Sequence, residues 1–95
     1  SRAGAASVIG KAGKLVGIFT DGDLRRHLEA DPALAYRKVK DVMTKYPIAI
    51  QPQKLAVEAL RILEEKKIDE LPVVDKKRRP IGMLDVQDVL RAGLV

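Results

Sequence analysis

The chain has 95 residues, of which 46% are hydrophobic and only 3% aromatic, so it can build one small globular domain around an aliphatic core. It has no cysteine, which excludes disulfide staples and cysteine-ligated metals. Its formal charge of +5 favours anionic partners. No apolar run approaches a membrane span and no charged-then-apolar leader opens the chain, so the expectation is a soluble, cytoplasmic protein with no membrane partner.

Residues 1–4 read as a loop. Ala5–Ile9 is a predicted strand, Gly10–Gly13 a turn by composition, and Lys14–Phe19 the returning strand. Gly17 inside that apolar run suggests close approach by another backbone or by a ligand. A helix is predicted from Asp21 to Glu29 or Ala30, with Leu24 and Leu28 on one face. Asp31-Pro32 ends it, because proline disfavours helical geometry in the residue before it. Residues 33–38 read as a linker with at most a short helical turn, and Val39–Met43 as a short helix. Ile48–Ile50 is a predicted brief strand, stopped by Gln51-Pro52.

The clearest helical pattern runs from about Gln53 to Lys67, with Pro52 fitting the first turn. Ala56, Ala59, Leu60 and Leu63 form its buried stripe, and Arg61, Glu64, Glu65 and Lys66 its solvent side. Leu71–Val74 and Pro80–Leu84 are predicted strands around an Asp75–Arg79 turn. The basic run Lys76–Arg79 within that turn reads as a solvated hairpin. It has no interleaved aromatic residue, so no stacking platform for nucleic acid is expected. A last helix is predicted from Val86 to Ala92, closed by Gly93.

The chain repeats itself. The stretch Gly17-Ile18-Phe19-Thr20-Asp21-Gly22-Asp23-Leu24-Arg25-Arg26 recurs as Gly82-Met83-Leu84-Asp85-Val86-Gln87-Asp88-Val89-Leu90-Arg91. The same offset aligns Ala6–Ile9 with Leu71–Val74 without a gap. Each copy is a strand, a turn, a strand, and a helix opened by an acidic residue. By this offset the counterparts of Ile48–Glu65 would precede Ser1. The first unit is therefore expected to lack its opening strand and helix, and the chain to be a fragment. The expected division is 1–30 for the first unit, 31–40 for a linker and 41–95 for the second unit.

Two readings of Thr20 and Asp23 stay open. Thr20 is a good N-cap and Asp23, three residues later, can bond back to it, which is a capping box and nothing more. Alternatively, a strand running into a helix N-terminus offers free N–H groups to a phosphate, and the carboxylate suits sugar hydroxyls. The duplication favours a ligand site. With one histidine and no cysteine, no set of nucleophile, base and orienting group can be assembled, so no catalytic residues are assigned. No metal site is expected either.

The tandem order, with Gly-Ile-Phe-Thr-x-x-Asp at a strand's end, resembles a pair of CBS domains, an α/β (α+β) module in which each unit is a small three-stranded sheet packed on two helices. With Asp41-Val42-Met43-Thr44, Ala56-Val57-Glu58-Ala59-Leu60 and Asp88-Val89-Leu90-Arg91-Ala92-Gly93, the chain is similar to the C-terminal part of bacterial arabinose-5-phosphate isomerases, the KpsF/GutQ family. The resemblance implies a regulatory module attached to an N-terminal SIS isomerase domain that makes the precursor of the lipopolysaccharide sugar Kdo. It implies an adenine or cytidine nucleotide, or a nucleotide-sugar such as CMP-Kdo, as regulatory ligand, and a homodimer. The ligand residues it implies are Thr20 for ribose or phosphate, Asp23 and Asp88 for ribose hydroxyls, and Tyr46, Pro47 and Ile48 for the base, with Leu71 and Pro72 completing the wall. The second unit departs from the pattern: Asp85 replaces the motif threonine and would repel phosphate. The alternative is a structural dimerisation module that binds nothing.

Overall fold

The computed structural model describes residues 4–91. Strands β1 (Ala5–Ile9) and β2 (Leu15–Thr20) form an antiparallel hairpin, and β2 runs directly into helix α1 (Asp21–Ala30). A single 3₁₀ turn follows at Pro32–Tyr36, started by Asp31, whose side chain accepts from the Ala33 N–H. Helix α2 (Val39–Val42) and the two-residue strand β3 (Thr44–Lys45) lead into helix α3 (Ala56–Lys66). Strands β4 (Glu70–Val74) and β5 (Pro80–Asp85) form the second hairpin, and helix α4 (Val86–Arg91) follows. Gly93, expected to close this helix, lies outside the described residues.

The sequence repeat is a structural repeat down to its irregularities. Ala5 faces Thr20 as Glu70 faces Asp85, and Val8 faces Gly17 as Val73 faces Gly82. Each hairpin carries one register shift, between Val8 and Ile9 and between Val73 and Val74. Each helix is tied to the start of its hairpin in the same way. The Asp21 N–H donates to the Gly4 carbonyl (2.6 Å), and the Val86 N–H to the Asp69 carbonyl (2.8 Å).

The two units differ in what completes their sheets. β3 pairs antiparallel with β2, opposing Lys45 to Gly17 and Thr44 to Ile18, so a segment after the linker closes the first sheet. In the second, the expected strand Ile48–Ile50 is reduced to one residue, Ile50, in a parallel bridge to Val73. The Ile50 N–H donates to the Pro72 carbonyl (3.0 Å), and the Val74 N–H to the Ile50 carbonyl (2.9 Å). Continuing this ladder back to Ile48 would need an N–H from Pro72, which has none.

Helix α3 begins at Ala56, later than its pattern suggests. Residues 52–54 form a turn, and Pro52 lies before the helix, not in its first turn. Lys67 ends the helix in the left-handed conformation with φ 54°. α3 and α4 cover the β4–β5 sheet around a core of Ile50, Ala59, Leu63, Leu71 and Val89. Leu71 is fully buried at its centre.

Outside that core, Leu15 and Ile18 of β2 and Leu34 of the 3₁₀ turn are also buried. The apolar face of α1 is not buried: Leu24 and Leu28 stay 42% and 46% exposed. By the repeat, Leu24 corresponds to Val89, which is buried among α3 residues. Among the described residues, α1 has no equivalent of α3 against it.

Gly17 is explained by neither a ligand nor a backbone. A methyl group on it would overlap the Met43 thioether, which lies across β2. Its repeat partner Gly82 has ordinary room, with Val73 at 3.8 Å.

Truncating Leu71 to alanine should lower stability by about 3 kcal/mol, as for other fully buried leucines. Truncating the exposed Ile81 to alanine should move it by no more than about 0.5 kcal/mol. Urea unfolding of both variants checks the pair, and similar costs would mean that the core is placed wrongly.

Candidate functional site

A cleft with a volume of about 540 Å³ lies where the two units meet. Three stretches far apart in sequence build it. The β2–α1 junction supplies Thr20, Asp21, Gly22, Asp23, Arg25 and Arg26. The segment after β3 supplies Tyr46, Pro47 and Ile48. The approach to β4 supplies residues 67–70 and Pro72.

At the junction the capping box is fully formed. Thr20 Oγ1 accepts from the Asp23 N–H (3.0 Å), and Asp23 Oδ2 accepts from the Thr20 N–H (2.9 Å). Asp23 Oδ1 accepts from Arg26 Nη2 at 2.6 Å, and Asp23 is only 8% exposed. Both carboxylate oxygens are thus already engaged by the protein. The Thr20 hydroxyl proton is not used by the cap, and in the first turn of α1 the Gly22 N–H is left over once Asp21 has donated to Gly4 and Asp23 to Thr20. The capping box of this pair is therefore formed, and the junction also lines a cleft.

On the opposite wall the backbone is unusual. Tyr46 has φ 51°, a left-handed conformation rare for a bulky residue, and the residue is 81% exposed. Its N–H donates to the Val16 carbonyl (3.1 Å), which ties this wall to β2. Pro47 is buried and Ile48 is exposed at the rim.

Of the residues singled out from sequence, Thr20, Asp23, Tyr46, Pro47 and Ile48 share this cleft, and so does Pro72. Leu71 points into the core and is absent from the lining. Asp88 lies elsewhere, exposed on α4. Its junction is a loosened copy of the first. Asp88 Oδ2 accepts from the Asp85 N–H at 3.3 Å, but Asp85 Oδ1 turns to the Gln87 N–H at 2.7 Å.

The wall that sequence reading missed is Lys67–Glu70. Its signal was weak, because it follows a helix and carries no motif. Glu70 is half-buried, and burial raises its pKa, helped by the charges of Asp69, Asp85, Asp21 and Asp23. The cleft therefore sets the carboxylates of Asp21, Asp23, Asp69 and Glu70 against Arg25, Arg26 and Lys67. Among the described residues, no group of three or more His, Cys, Asp or Glu side chains could hold a metal ion, and no helix is long and apolar enough to cross a membrane.

Comparison with known proteins gives this site a context. Residues 39–95 match the family model described as CBS domain. An arabinose 5-phosphate isomerase, KdsD of Pseudomonas aeruginosa, is 45% identical over 92 residues, which is 97% of this chain and 28% of that protein. The chain thus spans little more than a quarter of that relative. Among solved structures, the CBS domain pair of protein MJ0100, in complex with 5′-methylthioadenosine and S-adenosyl-L-methionine, superposes with a TM-score of 0.83 at 26% identity, covering 95% of this chain and 69% of that one. CBSX2 in complex with AMP superposes with a TM-score of 0.78 at 33% identity, covering 96% of this chain and 71% of that one.

Because the folded-state pKa of Glu70 is raised, ionising it opposes folding. Below its unfolded value no penalty exists, and the penalty grows as pH rises from there through the folded pKa. Glu70→Gln should therefore raise the melting temperature at pH 7 and leave it unchanged below about pH 4. Thermal melts across pH check this, and a gain that persists in acid would point to packing instead of charge.

Proposed function

The chain belongs to the CBS-domain family, and we propose that it is the ligand-sensing module of an arabinose-5-phosphate isomerase. In this reading the cleft takes an adenine or cytidine nucleotide, or a nucleotide-sugar such as CMP-Kdo. A catalytic sugar-isomerase domain, joined N-terminal to the module, is the partner that responds. The units are residues 1–30 and 41–95, with 31–40 between them. The observation that carries the reading is the convergence of Thr20, Asp23, Tyr46, Pro47 and Ile48 on one cleft.

Each part of a nucleotide finds a matching wall. The exposed ring of Tyr46, with Pro47 and Ile48, offers an apolar face for a base, and base–aromatic stacking contributes about 1–3 kcal/mol. Thr20 and Gly22 offer a hydroxyl and an N–H donor to phosphate at the start of α1, with Arg25 and Arg26 as counter-charges. Asp23 can still accept a sugar hydroxyl through its remaining lone pairs. The carboxylates of Asp69 and Glu70 face these donors, so added phosphates are repelled. One phosphate, or one diester, suits the cleft better than three. The second junction, with Asp85 in place of threonine and Asp88 exposed, is assigned no ligand.

Sensing requires that the ligand favour one arrangement of the attached enzyme over another. The seam between two units is a suitable place, because a ligand held there ties both together.

One observation favours a second reading. The capping box accounts for Thr20 and Asp23 without a ligand, and Leu24 and Leu28 present an unburied apolar stripe. A structural module that joins subunits as a homodimer would use that stripe and leave the cleft empty.

Calorimetric titration of the full chain with AMP, ATP, CMP and CMP-Kdo separates the two. The account predicts saturable binding of a monophosphate or of CMP-Kdo, and weaker binding of ATP. Tyr46→Asn, which suits the left-handed backbone but lacks the ring, should weaken that binding about tenfold. Asp23→Asn, which keeps much of the cap, should weaken it as well. No binding of any of them by a stable dimer would establish the structural reading.

A further inference from the structure

The repeat exposes an asymmetry at the two hairpin turns. Gly13 and its counterpart Arg78 both adopt the left-handed conformation, with φ of 71° and 63°. Glycine takes that conformation freely, whereas an L-residue with a side chain is disfavoured there. The first turn shows that glycine serves the geometry, so the geometry does not explain an arginine in the second.

The side chain supplies the explanation. Arg78 Nη2 donates to the Pro47 carbonyl at 2.7 Å, reaching back 31 positions in sequence. The Arg78 carbonyl in turn accepts from the Leu15 N–H (2.9 Å), at the start of β2. The symmetry-related bond to Gly13 would need an N–H on Pro80, which has none. The tie between turn and opposite unit therefore runs one way. Arg78 is half-buried, so this charge-assisted bond is partly shielded from water.

The mount is stiff. Asp75 Oδ1 accepts from the Lys77 and Arg79 N–H groups, both at 2.9 Å. Asp75 Oδ2 accepts from Arg79 Nε at 2.8 Å. Arg78 is held at the centre of this braced turn, and its target is the buried middle of the Tyr46–Ile48 wall. Arg78 itself does not line the cleft.

We propose that Arg78 is a positioning residue for the cleft: it fixes the Tyr46–Ile48 wall to the β4–β5 turn without touching what the cleft holds. The wall has little else to fix it. Its left-handed Tyr46 is anchored by one backbone bond to Val16, and the bridge at Ile50 cannot extend back to Ile48.

Arg78→Gly keeps the left-handed turn and the carbonyl that Leu15 uses, and removes the side chain with its guanidinium. Hydrogen–deuterium exchange on the full chain reads the wall directly. The Tyr46 amide, which donates to the Val16 carbonyl, should exchange about tenfold faster, the scale of one lost charge-assisted bond. Amides of the β1–β2 and β4–β5 ladders should keep their rates. Arg78→Lys, which can make one such bond, should restore part of the protection. An unchanged rate at Tyr46 would overturn the proposal. So would a uniform rise across both sheets, which would mean a general loss of stability.

A second arm rests on the nucleotide reading: affinity for the nucleotide that the parent chain binds should fall about tenfold in Arg78→Gly. If the parent chain binds none, that reading fails, and the exchange rates still decide the role of Arg78.

Discussion

The turn from β2 into α1 is the constraint on which the cleft depends. A strand that ends in a helix must change direction within a residue or two and leave its last N–H groups satisfied. Thr20 and Asp23 do this reciprocally, and Arg26 holds the second carboxylate oxygen. The bond from the Asp21 N–H to the Gly4 carbonyl then ties the helix to its hairpin. With those contacts made, α1 leaves β2 at a fixed angle and its first turn faces the seam. The donors, the acid and the arginines on that side of the cleft follow from this one junction.

The second junction shows what the chain looks like without that arrangement. Its register, its strand irregularity and its tie from Val86 to Asp69 copy the first. Its cap does not, because an aspartate at position 85 has a carboxylate that turns to Gln87 and leaves Asp88 exposed. A duplicated fold therefore carries one well-formed junction and one loosened one. Two departures from symmetry, Arg78 opposite Gly13 and Pro80 opposite Leu15, lie where the units touch, and a third, Asp85 opposite Thr20, lies at the second junction. Membership of the CBS family accounts for the shared frame.

Much of this was legible in the sequence because the signals were local or repeated. The capping box is a four-residue pattern, the hairpins are short apolar runs around turns, and the offset paired them before any fold was known. What escaped depended on contacts between distant residues. Ile48–Ile50 has strand composition, but its ladder stops where Pro72 lacks an N–H. Gly17 looked like a point of ligand approach, but Met43 fills the space. The basic turn looked like plain solvated charge, yet Arg78 reaches across the seam. The Lys67–Glu70 wall has no motif and is seen only once α3 and β4 are placed.

The central claim is that the seam between the units is where a nucleotide sits. Chemical-shift mapping of the isotope-labelled full chain during addition of AMP or CMP-Kdo tests it most directly. The account predicts that perturbed amides cluster at Thr20–Arg26, at Tyr46 and Ile48, and at Lys67–Glu70, while Asp85–Asp88 stay still. Perturbations centred on Asp85–Asp88, or none at saturating ligand, would contradict it.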